Sequence, residues 1–347
     1  MPDARSRGAA GCLVVLQAFP LPRPTTNPYL VLLAEAVRSV PGVRVLNFSY
    51  RNAFFARYDV YHSHWPEILV SGHSPLKKLA RQALALAFLT RLALTRTPIV
   101  RTIHNLERPD GISRRESKLL DLIDRMTTLR IRLNATTDLE SGQAFETILH
   151  GHYRSWYDAV PKRGMVPGQV GYFGLIRRYK GVEVLLTAFR ETAGATPALT
   201  LRIGGKPSSS ELEQSIATLS DGDDRVSTAL HFLPDAELVD IVTTSEIIVL
   251  PYRFMHNSGG ALTALSLERP VLLPDNEVNR LLADEVGPGW VYRYSGELTA
   301  DDLIQTVASV RTGERTARPD LENRAWGEAG RAHVAAYRRA MGIRHRR

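Results

Sequence analysis

Short apolar runs recur along this chain and alternate with stretches whose apolar residues fall at helical spacing. Leu13–Leu16, Val43–Leu46, Val60–His64 and Ile99–Ile103 read as strands. Tyr29–Val37, Lys77–Arg96 and Arg114–Met126 read as the helices between them. The pattern continues with Val170–Gly174, Leu199–Ile203, Ile247–Leu250 and Val271–Leu273 as strands. The helices here are Val182–Phe189, Glu211–Leu219, Asp235–Thr244 and a segment from Ala261. Strands that alternate with helices and are apolar throughout belong to a parallel sheet covered on both faces. Less regular expectations are short strands at Asn134–Thr137 and His231–Leu233, a helix from Leu139, and one long basic helix over Leu321–Met341.

A chain of 347 residues suggests two domains. The stretch Val160–Gly168, rich in Pro, Gly and charge, is the expected linker. Domains are therefore expected over residues 1–160 and 169–320, with a C-terminal helix over 321–347. The net charge of +8 and a pI near 9.7 point to an anionic partner. Nucleic acid is set aside, because no aromatic-basic stacking platform is present. The single cysteine, Cys12, excludes an internal disulfide framework and reads as a small core residue. Leu13–Leu16 reads as a strand rather than a signal peptide, and no apolar span is long enough to cross a membrane. The expected location is the cytoplasm.

Three strand ends carry chemistry. After Ile247–Leu250 comes a polar loop, then Ser258-Gly259-Gly260, then a helix that Pro270 closes. Glycines at a loop-to-helix turn let the backbone approach a ligand, and the helix N-terminus attracts an anion. The blander reading is a turn with glycines for geometry. After Val170–Gly174 comes Arg177-Arg178-Tyr179-Lys180-Gly181, at the sheet edge where ligands bind in open α/β folds. Arg177 and Lys180 there could neutralise a diphosphate, or could be a solvated turn. After Ile99–Ile103 comes His104, a candidate general base or hydroxyl-binding group. His62, His64 and Glu67 form a second polar cluster, and His150-Gly151-His152-Tyr153 a loop suited to lining a cleft. The H-x-H-x-x-E spacing invites a zinc reading, but no further ligand set accompanies it. The helix Lys77–Arg96 carries Lys77, Lys78, Arg81, Arg91 and Arg96 among Leu and Ala, which suits contact with an anionic membrane or an ordinary solvated edge.

The segments F-G-L-I-R-R-Y-K-G-V-E-V-L-L-T-A-F from Phe173, L-R-I-G-G-K-P from Leu201 and L-P-Y-R-x5-S-G-G-A-L-T-A-L-x4-P-V-L from Leu250 resemble the C-terminal domain of GT-B glycosyltransferases. H-S-H-W-P-E, R-T-I-H-N and H-G-H-Y resemble the N-terminal domain of bacterial polysaccharide-assembly members. The resemblance implies an α/β protein of two Rossmann-like domains facing across a cleft, with the C-terminal helix crossing back to the first. It implies transfer of a sugar from a nucleoside-diphosphate donor, GDP- or UDP-linked with GDP-mannose favoured, to a saccharide or lipid-linked acceptor at the inner face of a membrane. Arg177 and Lys180 match diphosphate contacts, Ser258, Gly259 and Gly260 the phosphate turn, and Gly205 and Lys206 the base and ribose loop. His104 matches an active-site loop of the acceptor domain. Many retaining members carry two glutamates in an E-x7-E pattern, where this chain has Met255 and Thr263; Glu268 stands where a glycine is common. An inverting reaction needs a base, for which His104, His64 and Glu67 are candidates. The chemistry calls for no metal and no cofactor, because cations and a helix dipole meet the charge of the leaving diphosphate. The rival readings are an epimerase of the same fold and a sugar-nucleotide-binding protein with a degenerate site.

Overall fold

The computed structural model describes residues 11–72, 74–105, 108, 111–139 and 141–346. The chain divides into two compact units, one formed by Met1–His150 with Arg324–Arg347 and the other by Gly151–Asn323. The first break therefore falls ahead of the Pro- and Gly-rich stretch 160–168, which lies inside the second unit.

The first unit runs β1 (Leu13–Gln17), α1 (Pro28–Arg38), β2 (Val43–Asn47), α2 (Tyr50–Phe55), β3 (Val60–Ser63), α3 (Glu67–Val70), α4 (Pro75–Leu94), β4 (Ile99–Ile103), α5 (Arg114–Met126), β5 (Thr127–Arg132) and β6 (Phe145–Thr147). Its strands form one parallel sheet in the order β2-β1-β3-β4-β5-β6. Phe88, Leu89 and Leu92 of α4 and Leu120 and Ile123 of α5 pack with Leu16, Tyr61 and Ile99 of the sheet. Local signals set the helix starts. Ser113 caps α5 in a capping box with Glu116, whose carboxylate also pairs with Lys78 of α4 at 2.5 Å.

The second unit runs α6 (Arg154–Tyr157), β7 (Gln169–Phe173), α7 (Val182–Glu191), β8 (Thr200–Gly204), α8 (Ser210–Ser220), β9 (Val226–Ala229), α9 (Asp235–Thr244), β10 (Ile247–Val249), α10 (Gly259–Ser266), β11 (Val271–Pro274), α11 (Glu277–Val286), β12 (Val291–Tyr294) and α12 (Ala300–Thr312). These strands form a second parallel sheet, β12-β11-β10-β7-β8-β9. Glu246, just before β10, is almost fully buried; Arg311 of α12 holds it in a two-pronged ion pair at 2.7 and 2.8 Å, and the Gly168 N–H donates to it at 2.6 Å. The closing helix α13 (Trp326–Arg346) belongs to the first unit and packs on α1. A Cβ on Gly330 would lie 2.4 Å from the carbonyl oxygen of Ala36, so the two helices touch backbone to backbone there.

The structure corrects four local expectations. Residues 134–137 form a turn rather than a strand, because Asn134 Oδ1 accepts hydrogen bonds from the Thr136 N–H and hydroxyl at 2.9 Å. The strand is Thr127–Arg132, running directly out of α5 with no loop between them. No helix starts at Leu139; residues 141–142 turn and β6 follows as the sheet edge. The second-unit edge strand is Val226–Ala229, not His231–Leu233. Its residues are half-buried or exposed, so it lacks the apolar run that marks the central strands. Cys12 is exposed, since it precedes the strand.

Candidate active site

In each sheet the chain reverses direction of winding beside its first strand. β7 lies between β8 and β10, and β1 lies between β2 and β3. Loops leaving two such neighbours at their carboxyl ends diverge and leave a crevice, the usual ligand site of open α/β sheets.

In the second unit, the loops after β7, β8 and β10 meet at this edge. Gly205, with φ of 151°, lies against the turn after β7: a Cβ there would fall 1.8 Å from the Gly174 carbonyl oxygen. Ile176 N–H donates to the Lys206 carbonyl and Ser208 N–H to the Ile176 carbonyl, each at 3.0 Å. Gly205 is thus required by the packing of one loop on another, and the Lys206 side chain is exposed. Arg178–Lys180 makes one 3-10 turn, and Gly181 closes it in the left-handed conformation at φ 69°. A Cβ on Gly181 would meet the Pro251 carbonyl oxygen at 2.2 Å, so this turn sits directly on the loop after β10. Arg253 N–H donates to the Tyr179 carbonyl at 2.7 Å and fixes the same contact.

That packing carries Lys180 into the edge. Its ammonium lies 4.9 Å from the centre of the Tyr252 ring, a cation–π contact. Among the described residues it has no carboxylate partner within salt-bridge distance. Burial, then the neighbouring Arg177 charge, pushes its pKa down to about 8. The Tyr252 hydroxyl lies beside the first turn of α10, 3.2 Å from where a Cβ of Gly260 would stand. Ser258 caps α10 by accepting from the Ala261 N–H at 3.0 Å. Its hydroxyl is therefore used by the helix, while the N–H groups of Gly259 and Gly260 have no partner within it. Tyr252 links this ammonium to a helix N-terminus, and both favour an anion. Arg177 is exposed at the start of the same turn.

The two positions where glutamates stand in many retaining relatives hold packed groups. Met255 is buried, its sulfur accepting from Asn279 Nδ2 at 3.3 Å, and Thr263 lies inside α10. Glu268 adopts the left-handed conformation that favours glycine, φ 58°, and pairs with Arg318 at 2.7 Å.

In the first unit, a cavity of about 520 Å³ opens at the ends of β3 and β4. His64, Trp65, Glu67, Arg101, His104 and Asp124 are among the residues lining it. Trp65 stacks on His104, ring centres 4.1 Å apart and planes 20° apart. Glu67 opens α3 and is half-buried; burial raises its pKa, and Arg101 only partly offsets this. Arg101 and Arg108 are tied to Asp124, and Arg108 also to Asp121 at 2.8 Å. His64 is 3% exposed with both ring nitrogens engaged, Nδ1 to His104 Nε2 and Nε2 to Gln17 Oε1, each 3.2 Å. Burial holds its pKa at about 3, and holds His62 and His104 well below the usual histidine range as well. These rings are neutral at pH 7. Among the described residues no group of three His, Cys, Asp or Glu could hold a metal ion. His150 is buried against Tyr29, ring centres 4.6 Å apart, rather than displayed on an open loop.

The residues expected from sequence therefore fall in two places: Arg177, Lys180, Gly205, Lys206 and Ser258–Gly260 at one edge of the second unit, and His64, Glu67 and His104 around the first-unit cavity. Sequence reasoning missed Tyr252, Trp65, Gln17 and Tyr337. Tyr252 and Trp65 each lie inside a quoted motif without having been assigned a role, whereas Gln17 and Tyr337 carry no local signal.

Fold and site define a glycosyltransferase: the chain belongs to the group 1 glycosyl transferases and has the GT-B fold class. The family model for glycosyl transferases group 1 matches residues 167–310. The chain is 44% identical over 334 residues to the GDP-mannose:glycolipid 4-beta-D-mannosyltransferase of Xanthomonas campestris pv. campestris, covering 96% of this chain and 94% of that protein. Among solved structures it resembles Anabaena HepE in complex with UDP, with a TM-score of 0.57 at 14% identity over 96% of this chain and 98% of that one. It also resembles the sucrose-phosphate synthase of Thermosynechococcus elongatus, with a TM-score of 0.58 at 13% identity over 96% and 97%.

Lys180 generates a stability prediction. Its folded pKa lies below its unfolded value, so the unfolded state holds the extra proton between about pH 8 and 10.4. The desolvation cost is full below pH 8 and fades as pH rises through that window. Lys180→Met should therefore raise unfolding stability at pH 7 by about 1–2 kcal/mol, discounted for partial exposure. The gain should shrink above pH 8. Urea unfolding at pH 7 and pH 9.5 checks both; a destabilised variant at pH 7 contradicts the uncompensated charge.

Proposed function

We propose that this glycosyltransferase moves mannose from GDP-mannose to a glycolipid acceptor and forms a β-linkage. The observation that carries the reading is Lys180: a half-buried ammonium with no carboxylate partner among the described residues, on an aromatic ring beside the first turn of α10. A donor diphosphate supplies the missing charge. The identity of sugar, nucleotide and acceptor is taken from the mannosyltransferase of 44% identity. In this scheme Lys180, Arg177 and the Gly259–Gly260 amides meet the charge on the departing diphosphate, and Gly205 and Lys206 border the nucleoside. No metal is asked for. Met255 and Thr263 in place of carboxylates support a single displacement over a donor-side nucleophile.

GDP-mannose holds its sugar through an α-linkage, so a β product means inversion. The acceptor hydroxyl attacks the anomeric carbon, the bond to phosphate breaks, and GDP leaves with the electron pair. The hydroxyl proton goes to a base. His104 suits that role: it lines the cavity, is neutral, and has a neutral His64 behind it to accept its other N–H. Glu67 is the second candidate and otherwise binds acceptor hydroxyls; His64, with both nitrogens engaged, supports rather than reacts.

The assay offers GDP-mannose and a lipid-linked saccharide to the full chain and reads the anomeric configuration of the product. A β-mannoside is expected. His104→Ala should lower kcat by about a hundredfold or more and Glu67→Gln by under tenfold. The reverse order would assign the base to Glu67. Hydrolysis or isomerisation without acceptor would favour an epimerase, and binding without turnover a degenerate site.

A glycolipid acceptor also gives α4 a role. No helix among the described residues is long and apolar enough to cross a membrane. Yet Leu76, Leu79, Leu86 and Leu94 of α4 are between 50 and 81% exposed, with Lys77 and Arg81 alongside. An apolar stripe with basic residues suits the surface of an anionic bilayer. Wild-type protein should float with anionic vesicles. Leu79→Glu with Leu86→Glu should abolish flotation and leave transfer to a water-soluble acceptor intact; persistent flotation would remove α4 from the membrane surface.

A further inference from the structure

Trp65 lines the first-unit cavity and is only half-buried. Its position follows from the residue after it. Pro66 keeps Trp65 out of helical backbone and, with φ −61° and ψ −22°, opens α3. The indole therefore stands at the carboxyl end of β3, two residues from Glu67 in the first turn of α3. His104, from the loop after β4, covers one indole face, ring centres 4.1 Å apart and planes 20° apart. A ligand ring can lie only against the other face. Trp156 and Trp290 donate their indole N–H groups to Asp235 and Thr316 at 2.9 and 2.8 Å. Among the described residues the Trp65 N–H has no acceptor within hydrogen-bond distance.

The rest of the wall is polar and held in place. Arg101 and Arg108 are both tied to Asp124, so these planar groups keep their positions without a ligand. Glu67 is half-buried, and burial raises its pKa despite Arg101. An apolar plate thus stands beside fixed hydrogen-bonding groups, and different ligands fare differently there. A small anion or an open-chain polyol uses the polar groups and leaves the indole wet. A hydrocarbon covers the indole but strips water from the charged groups, which is costly. A pyranose ring carries C–H groups on its faces and hydroxyls around its rim. Its face lies on the π surface while its hydroxyls meet carboxylate and guanidinium. The cavity volume of about 520 Å³ falls within the range of about 300–1,000 Å³ for small-ligand sites.

We propose that Trp65 is the platform on which a pyranose ring of the acceptor rests, with the Glu67 carboxylate accepting hydrogen bonds from hydroxyls at that ring's rim. This deepens the reading of the cavity as the acceptor site and rests on it. The contact is to the saccharide and not to the lipid. Stacking grips the ring equally before the reaction and during it. Interactions of that kind lower KM and leave kcat alone. Trp65 therefore sets acceptor affinity and takes no part in the chemical step.

In full-length protein, Trp65→Ala should raise the acceptor KM about tenfold and hold kcat and the KM for GDP-mannose within about twofold of wild type. Trp65→Phe, which keeps an aromatic face, should recover most of the loss. A tryptophan that only holds His104 in place gives the opposite split, a lower kcat at unchanged acceptor KM, and that result overturns the platform. A second readout needs neither donor nor turnover, and it uses Trp65→Phe, so it stands even if alanine unfolds the turn. Methyl β-D-glucoside in excess should shift the tryptophan fluorescence of the wild type and not that of Trp65→Phe. Glycerol, which has hydroxyls but no ring face, should shift neither. No shift with the glucoside, or the same Trp65-dependent shift with GDP, also overturns the platform. A Trp65-dependent glucoside shift in protein that transfers no mannose from GDP-mannose leaves the platform standing and removes the proposed donor.

Discussion

The second unit is built around a positive charge that its own residues leave unanswered. Lysine ammonium groups are costly to desolvate, and folds normally bring a carboxylate to them or turn them outward. Among the described residues Lys180 has no carboxylate partner and lies on the face of Tyr252. Much of the local architecture holds it there. Gly181 bends the chain so that the turn rests on Pro251, and Gly205 lets the β8 loop close against Gly174. The elsewhere-balanced electrostatics sharpen the contrast. Glu246, Asp223 and Asp275 each have arginine partners that hold their carboxyls below the usual range. Lys180, with no carboxylate within salt-bridge distance among the described residues, supports the reading of an anion site at this edge.

The first unit handles polarity the other way. Its sheet edge gathers five histidines, His62, His64, His104, His150 and His333, together with Tyr29 and Tyr337. Burial keeps the rings of His62, His64, His104 and His333 neutral, and neutral rings can be chained by hydrogen bonds with no desolvated charge. His104, which lines the cavity, stands at 3.2 Å from His64 in this cluster. The second unit thus presents a cation at its sheet edge and the first unit a cluster of neutral rings.

Most of the fold was legible because apolar runs of four or five residues mark strands buried on both faces. α5 and α9 match their expected limits residue for residue, and the central strands shift by one residue at most. Edges were illegible for the same reason. β9 is half-exposed and β6 only three residues long, so neither carries an apolar run. The donor edge was readable because its residues are contiguous: Arg177–Lys180 and Ser258–Gly260 are each one short motif. The hydrogen bonds of Gln17 with His64 and Tyr337, and of His62 with Tyr337 and Thr102, were not, since Gln17, Thr102 and Tyr337 lie far apart in sequence and are ordinary residues until folding brings them together. Local spacing reports loops at a sheet edge well and the support behind them poorly.

Proton uptake on nucleotide binding tests the central claim most directly. Titrating GDP into the protein calorimetrically at pH 8, in buffers of different ionisation enthalpy, counts protons taken up per GDP bound. With a free pKa of about 8, Lys180 is half-protonated there, and a diphosphate beside it drives it to full charge. The account predicts uptake of about half a proton by the wild type and none by Lys180→Met. Tight GDP binding with no proton uptake by the wild type would contradict it, because Lys180 would then either carry its full charge already or stand apart from the diphosphate.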